Sequence, residues 1–496
     1  MKNYGYPISL VAAMIAAPAL ADELPERVTQ QVFMELVKAG DVAKAYEIAF
    51  EVGDELFEHR YTAAEGVGAN VGQGQRFSLV PRADLKAEGE WGDHFPRRVT
   101  GPNAQSCDVC HGTPVGDGSG FAVMNNIRDP LHKGDPKFFI NRQPPHIFGI
   151  GALQLLAEEM TTELRQQRDN AVEQAAGDRG DVTAKLNAKG IEFGVVVAKA
   201  DGSIDYSGLE GIDEDLQIKP MEWKGVTSFV RAFVRDAAHN ELGLQAVEFS
   251  GDDHDGDGDG IKNELSVGDI TAITIYQAAQ PRPTTKVELA ELGLIEPLSK
   301  QEIADINRGE VLFAKTGCAS CHTPVLTLNN SVFSEPSQHP DYRDRTFPAG
   351  QDSYQRGVTP EFPITFDLTK DLPDNIITTK NGETFGLGNF RTNRQGLAMV
   401  ELFSDLKRHD MGPGLAEAID EKGKGASVFI TQELWGVGST PPYLHDGRAT
   451  TLAEAIDWHR GDSEFSRQRF NELPKPDRTA LLAYLDNLVL YKKEEE

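Results

Sequence analysis

The sequence predicts a mainly α chain of two domains, with a small β-hairpin insertion and long loops. Three observations carry that expectation. The pattern Cys-x-x-Cys-His occurs twice, at Cys107–His111 and Cys318–His322, and uses all four cysteines. Apolar residues at helical spacing lead into the second copy and recur near the C-terminal end. Between the copies, Ile191, Phe193, Val195 and Val197 alternate and the chain then turns at Ala200-Asp201-Gly202, the mark of a hairpin. A chain of 496 residues is too long for one ordinary core. The expected division is a leader over 1–21, a first domain over 22–290 and a second over 298–490.

The opening residues, MKNYGYPISLVAAMIAAPALADELP, place Lys2 before the apolar run Ile8–Leu20 and end it with Ala19-Leu20-Ala21. This is the pattern of a secretory signal peptide, too short for a stable membrane anchor. No later stretch approaches a membrane span, so a periplasmic location is expected. An oxidising compartment makes disulfides the default for paired cysteines. Disulfides, however, do not ask for a histidine directly after each pair, and histidine fills only 12 of 496 positions. Cys-x-x-Cys-His is the attachment signature of c-type haem. The thiols add across the two vinyl groups of one porphyrin, the intervening residues set their separation, and the histidine offers its imidazole to the iron. Two covalently bound haems are therefore expected, one on Cys107, Cys110 and His111 and one on Cys318, Cys321 and His322. Pro114 and Pro324 follow the motifs closely, and such a proline can aim a carbonyl at the ligand's other N–H; an ordinary turn explains them equally well.

In the first half, TSFVRAFVRDAA sets Phe229, Val230, Phe233 and Val234 on one helical face, and RQQRDNAVEQAAGDRGDVTAKL reads as exposed helix and loop. The stretch DHDGDGDGIKNE, Asp253 to Glu264, fits a calcium loop, with Asp253, Asp255 and Asp257 at alternate positions, Gly258 at the turn and Glu264 last. Asp259 adds its carbonyl. Gly260 stands where an apolar residue is usual, so a register led by Asp255, Asp257 and Asp259 stays open, as does a solvated acidic turn. Repulsion among the carboxylates favours bound Ca²⁺. QAAQPRPTTKVEL reads as a linker. INRGEVLFAKTGCASCH then places Ile306, Val311, Leu312 and Phe313 on a buried helix face. Leu326 to Arg391, rich in Pro, Asp, Gly and Thr, is expected to be ordered by packing. KPDRTALLAYLDNLVL opens with Asp477 as N-cap and carries Leu481, Leu482, Leu485, Leu488 and Val489 as a stripe. A helix leading into Cys-x-x-Cys-His, crossed by a final helix, is how small cytochrome c domains are built, so two cytochrome c-like haem domains are expected. The haem motif is the only duplication visible in the sequence.

LWGVGSTPPYLHDGRATTLAEAIDWHRGDS closely resembles the di-haem cytochrome c peroxidase superfamily, which includes the enzymes that mature the methylamine dehydrogenase cofactor. The resemblance is carried by Pro442, Tyr443, His445, Asp446, Gly447, Thr451, Leu452, Glu454 and Ala455. RADLKAEGEWGDHFPRRVTGPNAQSCDVCHGTP, RQPPHIFGIGALQLL and HDMGPGL are similar to its di-haem oxidoreductase branch, also called thiol-oxidoreductase-like. The resemblance implies a further axial ligand fourteen residues beyond His445, a methionine in the peroxidases and a tyrosine in the cofactor-maturing enzymes; here that residue is His459. Two imidazoles imply a six-coordinate, low-spin haem of lower potential than His/Met ligation gives. Met411 is the rival ligand. His445 is implied to be structural, Asp446 to bond nearby backbone and Arg448 to pair with a haem propionate. The resemblance also implies peroxide chemistry at the N-terminal haem, which needs a distal amide or carboxylate. Gln154 and Glu158, with Glu159 beside them, are the candidates after PPHIFGIG. His132 or His146 would close that position instead, and Trp91 and Trp223 are relay candidates that core packing also explains.

The net charge of −28 repels phosphate backbones and anionic lipid, which excludes nucleic acid and membrane-surface partners, and favours cations or a basic protein. The expected function is that of an exported, peroxidase-like di-haem oxidoreductase: the N-terminal haem activates a small oxidant such as peroxide, and the C-terminal haem relays electrons with a small redox protein. Rivals are an electron-transfer cytochrome without substrate chemistry, an oxygenase related to the rubber-cleaving enzymes, and a calcium-dependent binding protein with structural disulfides.

Overall fold

The computed structural model describes residues 27–67, 104–120, 126–128, 140–256, 259–378, 382–420 and 422–493. The expected leader over 1–21, Trp91, His132, Asp257 and Gly258 lie outside them.

The mainly α expectation is corrected. Among the described residues, helices are interleaved with seven small sheets of two or three strands, and the fold is mixed α and β. The cause lies largely between residues 326 and 430. Frequent prolines and glycines there cannot sustain helices, and the chain closes into short antiparallel pairs. Leu326–Leu328 pairs with Ala398–Val400, Val332–Glu335 with Ile364–Asp367, Ile376–Thr378 with Thr384–Gly386, and Arg408–Asp410 with Val428–Ile430.

Two helix pairs position the haem motifs. Val42–Glu58 crosses Val267–Ala278, and Lys300–Thr316 crosses Lys475–Asp486. Both crossings are built alike. A Cβ on Gly53 would lie 2.3 Å from Ala272 O and 2.6 Å from Tyr276 Cβ; one on Gly309 would lie 2.1 Å from Ala480 O and 2.6 Å from Tyr484 Cβ. Glycine at each contact lets the backbones touch. Beyond each glycine a phenylalanine meets the same tyrosine, Phe57 on Tyr276 at 5.3 Å and Phe313 on Tyr484 at 5.6 Å between ring centres.

The likeness extends further. Gly151 lies against Ala278 O and Gly438 against Asp486 O, at 2.2 and 2.4 Å from an added Cβ. Ile147-Phe148-Gly149-Ile150-Gly151 and Leu434-Trp435-Gly436-Val437-Gly438 thus each cross the end of a final helix. The repeated unit is larger than the haem motif alone.

Several local expectations shift. Val230–Ala237 forms the expected helix and packs beside Val267–Ala278. The helix before the second motif buries Ile306, Gly309, Phe313 and Thr316, while Val311 is exposed. The final helix is capped by Pro474, and Asp477 instead pairs with Arg308. The hairpin forms from Val182–Ala188 and Ile191–Ala198, with Ile204–Asp205 as a third strand. Gly194, at φ 81°, breaks the alternation, so Phe193, Val196 and Ala198 are the buried set.

The proline-rich linker is buried. Thr284–Thr285 pairs with Leu488–Val489, and Arg282 bonds Asn389 O and Glu288. Burial would raise the Glu288 carboxyl, but Arg282, Thr284 and Arg391 outweigh it and hold it down at about 2. A carboxyl depressed on folding stabilises above its unfolded value of 4.5 and loses that contribution as pH falls through about 2. Glu288→Gln is expected to cost about 2 kcal/mol at neutral pH. The gap to the parent should close in acid across that window, as read by denaturant unfolding.

Among the described residues, no helix is long and apolar enough to cross a membrane.

Candidate haem sites

The Lys300–Thr316 helix ends at Gly317, whose φ of 90° reverses the chain directly into Cys318. Cys318–Ser320 makes one tight turn, and His322 N donates to Cys318 O at 3.0 Å. The motif thereby faces a cleft lined by Cys318, Cys321, His322, Met411, Ile456 and His459.

Across that cleft, the rings of His322 and His459 stand 6.4 Å apart, centre to centre. Two imidazoles on opposite faces of one metal, each bound at about 2 Å, have ring centres about 6 Å apart. Nδ1 of His322 donates to Phe403 O at 3.0 Å, and Nδ1 of His459 donates to Ala455 O at 2.8 Å. A carbonyl only accepts, so each Nδ1 carries the proton and each Nε2 keeps a free lone pair. Burial, and the facing His459, hold His322 down at about 4; burial lowers His459 as well. Both rings are therefore neutral. Cys318 and Cys321 are free thiols beside them. The donor set, tautomers and spacing fit a haem attached through Cys318 and Cys321. The carbonyl that holds His322 Nδ1 is that of Phe403, which leaves the ordinary-turn reading for Pro324.

Cys107–His111 forms a similar turn, with His111 N donating to Cys107 O at 3.1 Å and Cys107 N to Phe57 O at 3.0 Å. Burial holds His111 below its usual value, against the nearby Pro145 and Gly118 carbonyls. Cys107 and Cys110 are also free thiols. The cleft of the second motif continues to Ser119, Gln143 and His146 beside the first. His146 Nε2 donates to Trp435 O at 2.9 Å, which leaves Nδ1 buried without a partner. Burial pushes that ring down to about 4.

Gln154 and Glu158 bond each other at 2.9 Å. Gln154 Oε1 also accepts from Val230 N, and Glu158 Oε1 from Ser337 Oγ at 2.6 Å. Burial raises the Glu158 carboxyl to about 7. Neither lines the cleft. Glu159 holds Lys189 and the Asn329 and Asn330 amides. Trp223 does line the cleft and donates to Gln143 O at 2.8 Å.

His445 is buried and stacks on Phe429 at 4.4 Å. Asp446 accepts from Arg448 N and from the Arg448 guanidinium, which also reaches Gly414 O. Met411 receives a long contact from Ser463 Oγ at 3.9 Å.

In the acidic loop, Asp253 bonds Asn263, Asp255 accepts from Asp259 N and Gly260 N, and Asp259 accepts from Ile261 N. Glu264 turns inward to accept from Gln245 N at 2.7 Å. Among the described residues, these four carboxylates do not converge within metal-ligating range.

Sequence reasoning missed one cluster at the second motif. Cys321, Asp405 and His409 lie together, with His409 Nε2 2.8 Å from Asp405 Oδ2. Once Cys321 is a thioether it offers no anionic sulfur. The pair then reads as support for the motif, not as a metal site.

The family described as "Di-haem oxidoreductase, putative peroxidase" matches residues 376–488. No curated protein matches the chain. Among solved structures, hydrazine synthase of Kuenenia stuttgartiensis is 16% identical, with a TM-score of 0.22, covering 47% of this chain and 59% of that one. A MauG-like protein associated with microbial copper homeostasis is 17% identical, with a TM-score of 0.26, covering 68% and 88%. The segment that holds Trp435, His445 and His459 is the one the family match spans, and over that segment this chain is similar to the di-haem oxidoreductase family.

Proposed function

We propose that this is an exported c-type di-haem oxidoreductase of the peroxidase-like kind, with unlike roles for its two motifs. One observation carries the reading: His322 and His459 face each other with both Nε2 lone pairs free. Together they would close both axial positions of one iron and leave an oxidant no place to bind. That suits electron relay to or from a small redox protein. His111, neutral and buried, has no such partner among the described residues, and we assign peroxide reduction to its side. A haem held there by Cys107, Cys110 and His111 would supply one-electron chemistry toward peroxide. His146, with its unprotonated Nδ1 in the shared cleft, can accept a proton there. The acidic surface favours a basic partner.

EPR of the oxidised protein, before and after hydrogen peroxide, tests this. The expected result is one low-spin bis-histidine signal and one high-spin signal, with peroxide changing the high-spin one. Two low-spin signals indifferent to peroxide would instead mark an electron-transfer cytochrome.

A further inference from the structure

A line of rings runs from the first motif to the surface. His111 lies 6.0 Å from Phe57, Phe57 5.3 Å from Tyr276, Tyr276 5.2 Å from Phe50, and Phe50 6.4 Å from Tyr46. Tyr46 is partly exposed and donates to Asp371 O at 3.0 Å. Tyr276 differs from the other buried tyrosines along these cores in what its hydroxyl meets. Tyr61 and Tyr342 donate to the Leu56 and Ile218 carbonyls. Tyr276, only 1% exposed, donates to a carboxylate, Asp117 Oδ1, at 2.7 Å. Asp117 is itself buried, and Lys492 Nζ lies 2.6 Å from its other oxygen.

We infer that Tyr276 is a redox-active relay: it is oxidised by one electron toward the His111 side, and its phenolic proton passes to Asp117. The inference rests on the function proposed above. The geometry makes the two transfers one event. Burial and the neighbouring Asp117 and Asp54 carboxylates raise the Tyr276 phenol, so it does not ionise while it keeps its electron. Burial lifts the Asp117 carboxyl to about 6 against the pull of Lys492, which makes it a better base than an ordinary aspartate. A phenol that has lost an electron is strongly acidic, and the proton has a short bond to travel.

The balance is as follows. Hydrogen peroxide takes two electrons and two solvent protons and becomes two waters. Tyr276 supplies one electron and its O–H bond breaks. A neutral tyrosyl radical remains, hydrogen-bonded to protonated Asp117. The second electron comes from the His322/His459 side. The external redox protein returns two electrons, one that refills the His322/His459 side and one that enters through Phe50 and Tyr46 and restores Tyr276 as the proton returns from Asp117.

Tyr484 is the built-in comparison. It occupies the same place on the second crossing, yet its hydroxyl makes no hydrogen bond to a carboxylate among the described residues. The test is freeze-quench EPR of the di-haem protein mixed with hydrogen peroxide. An organic radical that narrows on ring-deuterated tyrosine labelling is expected. Tyr276→Phe should abolish it, Asp117→Asn should weaken it strongly, and Tyr484→Phe should leave it unchanged. Thermal unfolding and the low-spin haem signal check that each variant is folded. If Tyr276→Phe does not fold, Asp117→Asn and the labelled parent still decide. An undiminished radical in Tyr276→Phe or Asp117→Asn overturns the inference, as does a changed haem signal with no tyrosine radical. Haem signals that peroxide does not alter would remove the proposed function itself, and this relay with it.

Discussion

Replacing His459 with alanine is expected to convert the second haem from low-spin to high-spin, with loss of its bis-histidine EPR signal and no change in the first. The effect should be large because, among the described residues, no other imidazole faces His322 as His459 does. Its ring reaches the cleft from the second residue past the Leu452–Asp457 helix, and its Nδ1 bonds the carbonyl four residues back. Thr451 and Glu454 fix the start of that helix with a reciprocal capping pair. The imidazole is therefore held before any metal arrives, and alanine removes the donor while the helix persists. The vacated position should also admit peroxide, so the variant is expected to react at both haems. His459→Met should restore six-coordination and raise the potential by on the order of 0.1 V, a modest part of the roughly 0.8 V that axial ligands span. Met411 lines the same cleft. A low-spin spectrum unchanged in His459→Ala but lost in Met411→Ala would transfer the ligand role to Met411.

The sequence was most legible where chemistry fixes spacing. Cys318, Cys321 and His322 were read from the Cys-x-x-Cys-His pattern and His459 from the offset that the resemblance implies, and the structure places the two histidine rings across one cleft. What holds those ligands was not legible. The acceptors for His322 and His459 are main-chain carbonyls of Phe403 and Ala455, and any residue has a carbonyl. The mixed fold was misread for a related reason. The strands between residues 326 and 430 are three or four residues long, too short to show a period of two. Gly194 hid the hairpin's buried set by inserting one residue into the alternation. The helix before the first motif was missed because the segment 59–106 separates it from Cys107, whereas Lys300–Thr316 runs straight into Cys318. Tyr276 and Asp117 are 159 positions apart, and no local pattern announces such a pair.

Substituting alanine for Gly309 is expected to destabilise the protein by about 2–4 kcal/mol, although the same change in an exposed helix would stabilise by about 1 kcal/mol. Two effects compete. Alanine restricts the unfolded chain and favours helix. Here, though, its methyl would stand 2.1 Å from Ala480 O and 2.6 Å from Tyr484 Cβ. The first of these atoms is backbone in the middle of a helix and cannot rotate away. The helices must separate, and that opens the packing of Phe313 and Tyr484 around the contact. The consequence is local, because Gly317 and Cys318 directly follow the displaced helix. Haem attachment at the second motif should fall while the first is still filled. Gly53→Ala should do the reverse, since its methyl would meet Ala272 O at 2.3 Å. Mass spectrometry of the peptides carrying Cys107–Cys110 and Cys318–Cys321, alongside thermal unfolding, reads both outcomes. Equal stability and equal loading in the two variants would mean that the crossings do not position the motifs. A loss confined to the matching motif would show that each glycine serves its own haem, and that the repeated unit works as two separate supports within one continuous core.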